Sequence, residues 1–290
     1  TFVGMSKFSL TAIPFFILAG NIMNQGGIAK RLVNFVMAIL GKLPGALLVT
    51  NVGTNALFGA ISGSASAAAA AVGSMIRDGA EEAGYDPALT AATNAASAPS
   101  GLLIPPSNAM ITYSLAAGGT SVAALFMAGY LPGLIWALAC AIVGVLLAVK
   151  KGYKGTPGKF SWSNLFKATL DAIPSLSLIV VVIGGIIGGI FSATEGSAIA
   201  VVYSLILAIC YKSVNLKSLW KIIVDSAKTS GMVVFLIGVS NILGWVMAFM
   251  QIPDAVAAAL LGLSTNKSMI LLIMTVILLI AGTCMVVTPV

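Results

Sequence analysis

Two short stretches carry residue types that could do chemistry, in surroundings where those residues are costly. One is Gly59-Ala60-Ile61-Ser62-Gly63-Ser64-Ala65-Ser66, and the other is Ser97-Ala98-Pro99-Ser100-Gly101-Leu102-Leu103-Ile104-Pro105-Pro106-Ser107-Asn108. Both lie inside long apolar runs, where Gly and Pro weaken or break a helix. A tip built from Ser62, Gly63, Ser64 and Ser66 offers hydroxyl and carbonyl oxygens with close backbone approach. A helix interrupted at 99–106 offers unpaired carbonyls from its first half and unpaired N–H groups from its second. Together they make an oxygen cage without formal charge, which suits an alkali cation better than a transition metal. Ser107 and Asn108 open the second half, where N–H groups and the positive dipole end favour an anionic substrate group. Pro105 and Pro106 suit that place, because the first turn of a helix tolerates a missing donor. The plainer alternative for the same residues is tight helix packing plus a proline kink.

The elements that must position these residues are membrane helices. Of 290 residues, 59% are hydrophobic and 8% are charged, against roughly 25% charged in a soluble domain. Mean hydropathy is +1.07. Most apolar runs reach the roughly 18 residues of a spanning helix, and none alternates as a membrane barrel strand would. The expected fold is an all-α polytopic membrane protein. The net charge of +7 does not point to nucleic acid, since the cations lie in gaps between apolar runs. Cys140, Cys210 and Cys284 are isolated, and there is no His. That removes a Ser/His nucleophile and His/Cys metal sites, and no phosphate-loop motif occurs. No catalytic residue is assigned and no enzyme is expected.

Along the chain, a helix is expected over 8–23, followed by an amphipathic helix over Ile28–Leu40 lying along the interface. The run 47–76 has Lys42 before it and Arg77, Asp78, Glu81 and Glu82 after it. With the Ser/Gly tip midway, each arm is about fourteen residues, too short to cross, which predicts a re-entrant hairpin. The uncharged span 87–149 has room for two crossings, the first broken at 99–106. Further crossings are expected over 168–191 and 197–211, then an amphipathic linker with Lys212, Lys217 and Lys221, and a last full helix over 229–249. Segments Ile252–Leu263 and 269–281 follow. With the hairpin returning to the side it left, all fifteen Lys and Arg except Lys7 and Lys267 fall on one face. The positive-inside rule makes that face cytoplasmic. Lesser expectations are Thr194 as a helix cap, close helix packing at Gly184–Gly189, solvated helix ends at Asp171, Asp225 and Asp254, and interface anchoring by Trp136, Trp162, Trp220 and Trp245.

Weak self-similarity recurs at an offset of roughly 220 residues. Phe16-Ile17-Leu18-Ala19-Gly20-Asn21-Ile22 resembles Phe235 through Ile242, the amphipathic 28–41 resembles 252–262, and Leu57-Phe58-Gly59-Ala60 resembles Leu279-Ile280-Ala281-Gly282-Thr283. An odd number of expected crossings separates the copies, which predicts inverted repeats with broken elements, the layout of secondary transporters. The expected organisation is a first repeat core over 1–120, further membrane helices and cytoplasmic loops over 121–228, and the start of a second, inverted repeat over 229–290. The second hairpin should turn at Val290, so a fragment is expected.

Ser62-Gly63-Ser64-Ala65, Gly84-Tyr85, Gly101-Leu102-Leu103-Ile104-Pro105-Pro106-Ser107, the 121–126 region, Ala128-Gly129 with Pro132-Gly133, and Thr194-Glu195 together resemble the large membrane subunit of tripartite ATP-independent periplasmic (TRAP) transporters. The resemblance covers essentially the whole chain. It implies sodium-driven import of an organic acid (a dicarboxylate, a sugar acid or sialic acid) across a bacterial inner membrane by an elevator-type motion. Substrate would come from a periplasmic binding protein, with a small membrane subunit alongside. The resemblance further implies that Ser62, Gly63, Ser64 and Gly101 belong to a first sodium site and that Gly282, Thr283 and Thr288 form half of a second. Ser107, Asn108, Pro105 and Pro106 would lie near substrate. A stand-alone sodium/carboxylate symporter needing no binding protein, or a channel, are the alternative transport readings.

Overall fold

The computed structural model describes residues 8–117, 120–155, 161–263 and 266–284, and the regular elements among them are all helical. A short 3-10 turn at Phe8–Thr11 leads into α1 (Ala12–Gln25) and α2 (Ile28–Leu40). A hairpin follows, made of α3 (Ala46–Ser62) and α4 (Ala65–Glu82). The interrupted helix is α5 (Pro87–Ser97), α6 (Ser100–Leu103) and α7 (Asn108–Ala116). Then come α8 (Val122–Lys151), α9 (Trp162–Ile187), α10 (Ala193–Cys210), α11 (Leu216–Phe249), α12 (Ile252–Leu263) and α13 (Lys267–Cys284). Among the described residues, α8, α9, α10 and α11 are long and apolar enough to cross a membrane. This is a multi-pass architecture.

The described residues divide into two compact units, one from Phe8 to Lys228 and one from Thr229 to Cys284. In the larger unit α1 packs along α10, and α2 lies against α3 and α9. The hub is α3, which touches α4, α5, α6 and α8. Its side chains explain why: Leu48, Thr50, Asn51, Thr54, Asn55 and Phe58 are wholly buried, apolar and polar together. An all-round buried helix needs partners on every side, and a polar one needs them to be hydrogen-bonded. Phe16, Phe58 and Phe126 are the largest buried side chains of the core. Within the second unit, α12 packs on α13, and Trp245 stacks on Phe249 with ring centroids 5.6 Å apart.

Several helix ends depart from expectation for local reasons. The linker after Tyr211 and the helix after Thr229 are one element, α11. The chain breaks earlier, where Lys212 takes a left-handed φ of 51°. Asn215 and Ser218 then cap each other, Ser218 N–H donating to Asn215 Oδ1 at 2.8 Å and Asn215 N–H to Ser218 Oγ at 3.0 Å. Gly188 and Gly189 end α9, whereas Gly184 and Gly185 lie within it and the bare backbone of Gly185 lets the Phe191 ring press against the helix. Gly189 is left-handed, and Ile190 N–H donates to the Gly185 carbonyl at 2.8 Å. The cap of α10 is Ser192, not Thr194: its hydroxyl accepts from Glu195 N–H at 3.3 Å while Glu195 Oε2 accepts Ser192 N–H at 2.7 Å. Asp171 and Asp225 fall inside α9 and α11 and not at helix ends, whereas Asp254 lies in the first turn of α12. Trp136 Nε1–H donates to the Ala96 carbonyl at 2.9 Å and ties α8 to α5.

Candidate functional site

The hairpin tip closes in three residues. Ser62 ends α3, Gly63 turns left-handed at φ 65°, and Ser64 caps α4 by accepting Ala67 N–H at 3.3 Å. Gly63 N–H returns to the Gly59 carbonyl at 2.7 Å, which satisfies one of the carbonyls left over at the end of α3. Ser62 Oγ donates to the Ser64 carbonyl at 3.4 Å, and the hydroxyls of Ser64 and Ser66 lie 3.1 Å apart. The tip is therefore a dense group of oxygens held by backbone turns.

The interruption is equally specific. α5 stops at Ser97, α6 adds a single turn, and Ile104 and Ser107 take extended backbone angles on either side of a bend before α7 begins at Asn108. Proline explains the extension, since it bars the preceding residue from helical angles and supplies no donor. The Pro105–Pro106 peptide bond is cis. Ser107 caps α7 by accepting Met110 N–H at 3.4 Å. The whole link from Ile104 to Asn108 is buried.

The two features meet. Asn108 N–H donates to the Gly63 carbonyl at 3.4 Å. A Cβ on Gly63 would lie 3.1 Å from the Pro106 carbonyl oxygen and 3.4 Å from Asn108 Nδ2, so a side chain there would wedge tip and link apart. One turn lower, the backbones of Gly59 and Gly101 touch, and a Cβ on either would overlap the Cα of the other. Asn108 Oδ1 is buried at this junction with no hydrogen-bond partner among the described residues. An unpaired acceptor there costs on the order of 1–3 kcal/mol unless something else satisfies it.

The predicted residues thus sort as follows. Gly63, Pro106 and Asn108 converge at one junction, with Ser62, Ser64, Pro105 and Ser107 adjoining it in the chain. Gly101 sits one helical turn below, against Gly59. Gly282 is exposed on α13 in the second unit, while the Thr283 side chain and Thr288 lie outside the described residues. Among the described residues no group of three or more His, Cys, Asp or Glu could hold a metal ion.

Sequence reasoning missed a polar clasp under the junction. Asn55 Nδ2 lies 2.7 Å from Asn51 Oδ1, 3.0 Å from Asn94 Oδ1 and 2.8 Å from Ser97 Oγ. Asn94 Nδ2 donates to the Ala69 carbonyl at 2.8 Å, so α3, α4 and α5 are laced together. The available signal was Asn at 51 and 55, one helical turn apart in an apolar helix, where polar side chains are costly and act as interhelical glue. A cavity of about 520 Å³ opens beside it, lined by Asn51, Ser74, Arg77, Thr90 and Asn94 among others.

The family model for the tripartite ATP-independent periplasmic transporter, DctM component, matches residues 1–290. The uncharacterized protein YgiK of Salmonella typhimurium is 52% identical over 287 residues, covering 99% of this chain and 66% of that protein. The ectoine TRAP transporter large permease protein TeaC of Halomonas elongata is 39% identical over 257 residues, covering 88% of this chain and 60% of that protein. The C4-dicarboxylate TRAP transporter large permease protein DctM of Rhodobacter capsulatus is 37% identical, covering 98% of this chain and 68% of that protein. The chain spans about two thirds of the length of these relatives.

Proposed function

The chain belongs to the DctM component family of tripartite ATP-independent periplasmic transporters, and from that premise we propose that it forms the core of a large permease subunit importing an organic acid by sodium symport. The observation that carries this reading is Asn108 Oδ1, a buried acceptor with no hydrogen-bond partner among the described residues, at the point where hairpin tip and helix break meet. The Gly63 and Pro106 carbonyls lie at the same junction, so the donor set there is neutral oxygen, the chemistry of a hard monovalent cation and not of zinc or iron. Sodium here is cargo: its charge would be neutralised by that of the carboxylate travelling with it.

The substrate's carboxylate would face the first turn of α7, where N–H groups and the helix dipole favour negative charge. Pro105 and Pro106 keep the preceding link extended and hold that turn in place. Ectoine and C4-dicarboxylate appear in the names of different relatives, so the cargo varies within the family; an organic acid is the reading these residues favour. We assign the hairpin as re-entrant, the repeats as inverted and the motion as elevator-like, with a periplasmic binding protein, a small membrane subunit and a bacterial inner-membrane setting. The arms support the first of these: α3 has 17 residues and α4 has 18, longer than the fourteen expected but about 26 and 27 Å, less than the roughly 30 Å hydrocarbon core.

The test is uptake by the full-length permease and its small subunit in proteoliposomes, against a panel of organic acids, with and without a sodium gradient and a cognate binding protein. Uptake of at least one carboxylate that requires both is expected. Uptake of none, or uptake indifferent to sodium, would overturn the assignment; uptake without the binding protein would make it a stand-alone symporter.

A further inference from the structure

We propose that the groove between α5 and α8 holds one acyl chain of an anionic phospholipid whose phosphate rests on Lys150. The groove has a volume of about 360 Å³, and its walls include Leu89, Ala92 and Ala96 of α5 and Trp136, Val143 and Leu147 of α8. Trp136 Nε1 and Cys140 Sγ are both directed at the Ala96 carbonyl, so the polar atoms at that end are already satisfied and the channel offers hydrocarbon contact. The surrounding helix is built for lipid, since α8 is one of the membrane-crossing candidates and Leu131, Leu138, Ile142 and Leu146 on it are exposed.

Length and charge choose the occupant. From Trp136 to Leu147 the groove runs about 16 Å along α8 at 1.5 Å per residue, roughly one leaflet of a 30 Å hydrocarbon core. Small residues, Ala92, Ala96, Ala139 and Gly144, lie among its walls, leaving an apolar trough that suits a single extended chain. The stripe continues by helical spacing from Leu147 to Lys150 and Lys151. Lys151 is spent on Asp86, its Nζ 2.5 Å from Asp86 Oδ2. Lys150 is exposed with no ion pair among the described residues, so the polar end of the groove carries an unmatched positive charge. A basic side chain at the membrane surface attracts an anionic headgroup, and the apolar channel below it accepts the tail.

The experiment uses the full-length permease with every tryptophan except Trp136 replaced by Phe, in phosphatidylcholine nanodiscs doped with lipid brominated on its acyl chains. Brominated phosphatidylglycerol is expected to quench Trp136 at least threefold more effectively, per mole fraction, than brominated phosphatidylcholine. Lys150→Gln should remove that preference, and Ala92→Leu, which narrows the channel, should weaken quenching by both lipids. Equal quenching by the two lipids in the parent protein would overturn the proposal, as would a preference that survives Lys150→Gln. Absence of quenching by either lipid would show protein covering the groove and would overturn it as well.

Discussion

At the scale of single residues, the junction depends on side chains that are missing as much as on those present. Gly63 permits the left-handed turn and the approach of the Pro106 carbonyl, while Gly59 and Gly101 let two backbones touch. These were legible in the sequence as helix breakers where breakers are costly. The clasp was not, because Asn55 meets Asn94 and Ser97 across 39 and 42 residues of chain, and no local pattern announces a pairing that only the tertiary fold creates. Asn55 Nδ2 has two hydrogens for three close acceptors, so removing it strands several buried groups at once. Asn55→Ala is expected to destabilise the protein by about 1–3 kcal/mol, read as a lowered Tm in detergent. A Tm matching the parent would mean that the clasp contributes nothing.

At the scale of elements, apolar periodicity located helices well and their ends unevenly. Ile28–Leu40 and Ile252–Leu263 match the observed α2 and α12, since each is bounded by turn residues that leave no choice. α11 was split in expectation because its first turns are amphipathic, yet no proline and no left-handed residue interrupts Leu216–Phe249. The ends that matter for assembly are tied by polar pairs outside the apolar runs. Asp86 caps α5 through Ala88 N–H at 2.9 Å and pairs with Lys151 at the end of α8. The Lys151 ammonium, and then the Ala88 N–H, hold the Asp86 carboxyl below its ordinary pKa. A depressed acid contributes stability above its ordinary titration range and loses it as pH falls through the folded value. Lys151→Gln should therefore lower Tm slightly at neutral pH, and the gap from the parent should close once pH has fallen below the ordinary carboxyl range and Asp86 is protonated. A gap that persists at that pH would place the effect elsewhere than in this pair.

At the scale of the whole molecule, the all-helical, multi-pass architecture and the family were readable from composition and motif, because a membrane leaves few backbone solutions. Side of exposure is where the account is most exposed to test. If 46–82 enters and leaves by one face, Lys42→Cys and Glu82→Cys should both react with an impermeant maleimide from the cytoplasmic side alone, in a background lacking Cys140, Cys210 and Cys284. Labelling of the two from opposite sides would make the segment a crossing. The central claim, though, is that tip and break form one cation site. The most direct measurement is the sodium concentration giving half-maximal uptake in proteoliposomes containing the full-length permease, its small subunit and its binding protein, compared among the parent, Ser62→Ala and Asn108→Ala. With Tm preserved, each variant is expected to raise that concentration about tenfold, the equivalent of roughly 1.4 kcal/mol; an unchanged sodium requirement in both would contradict the site.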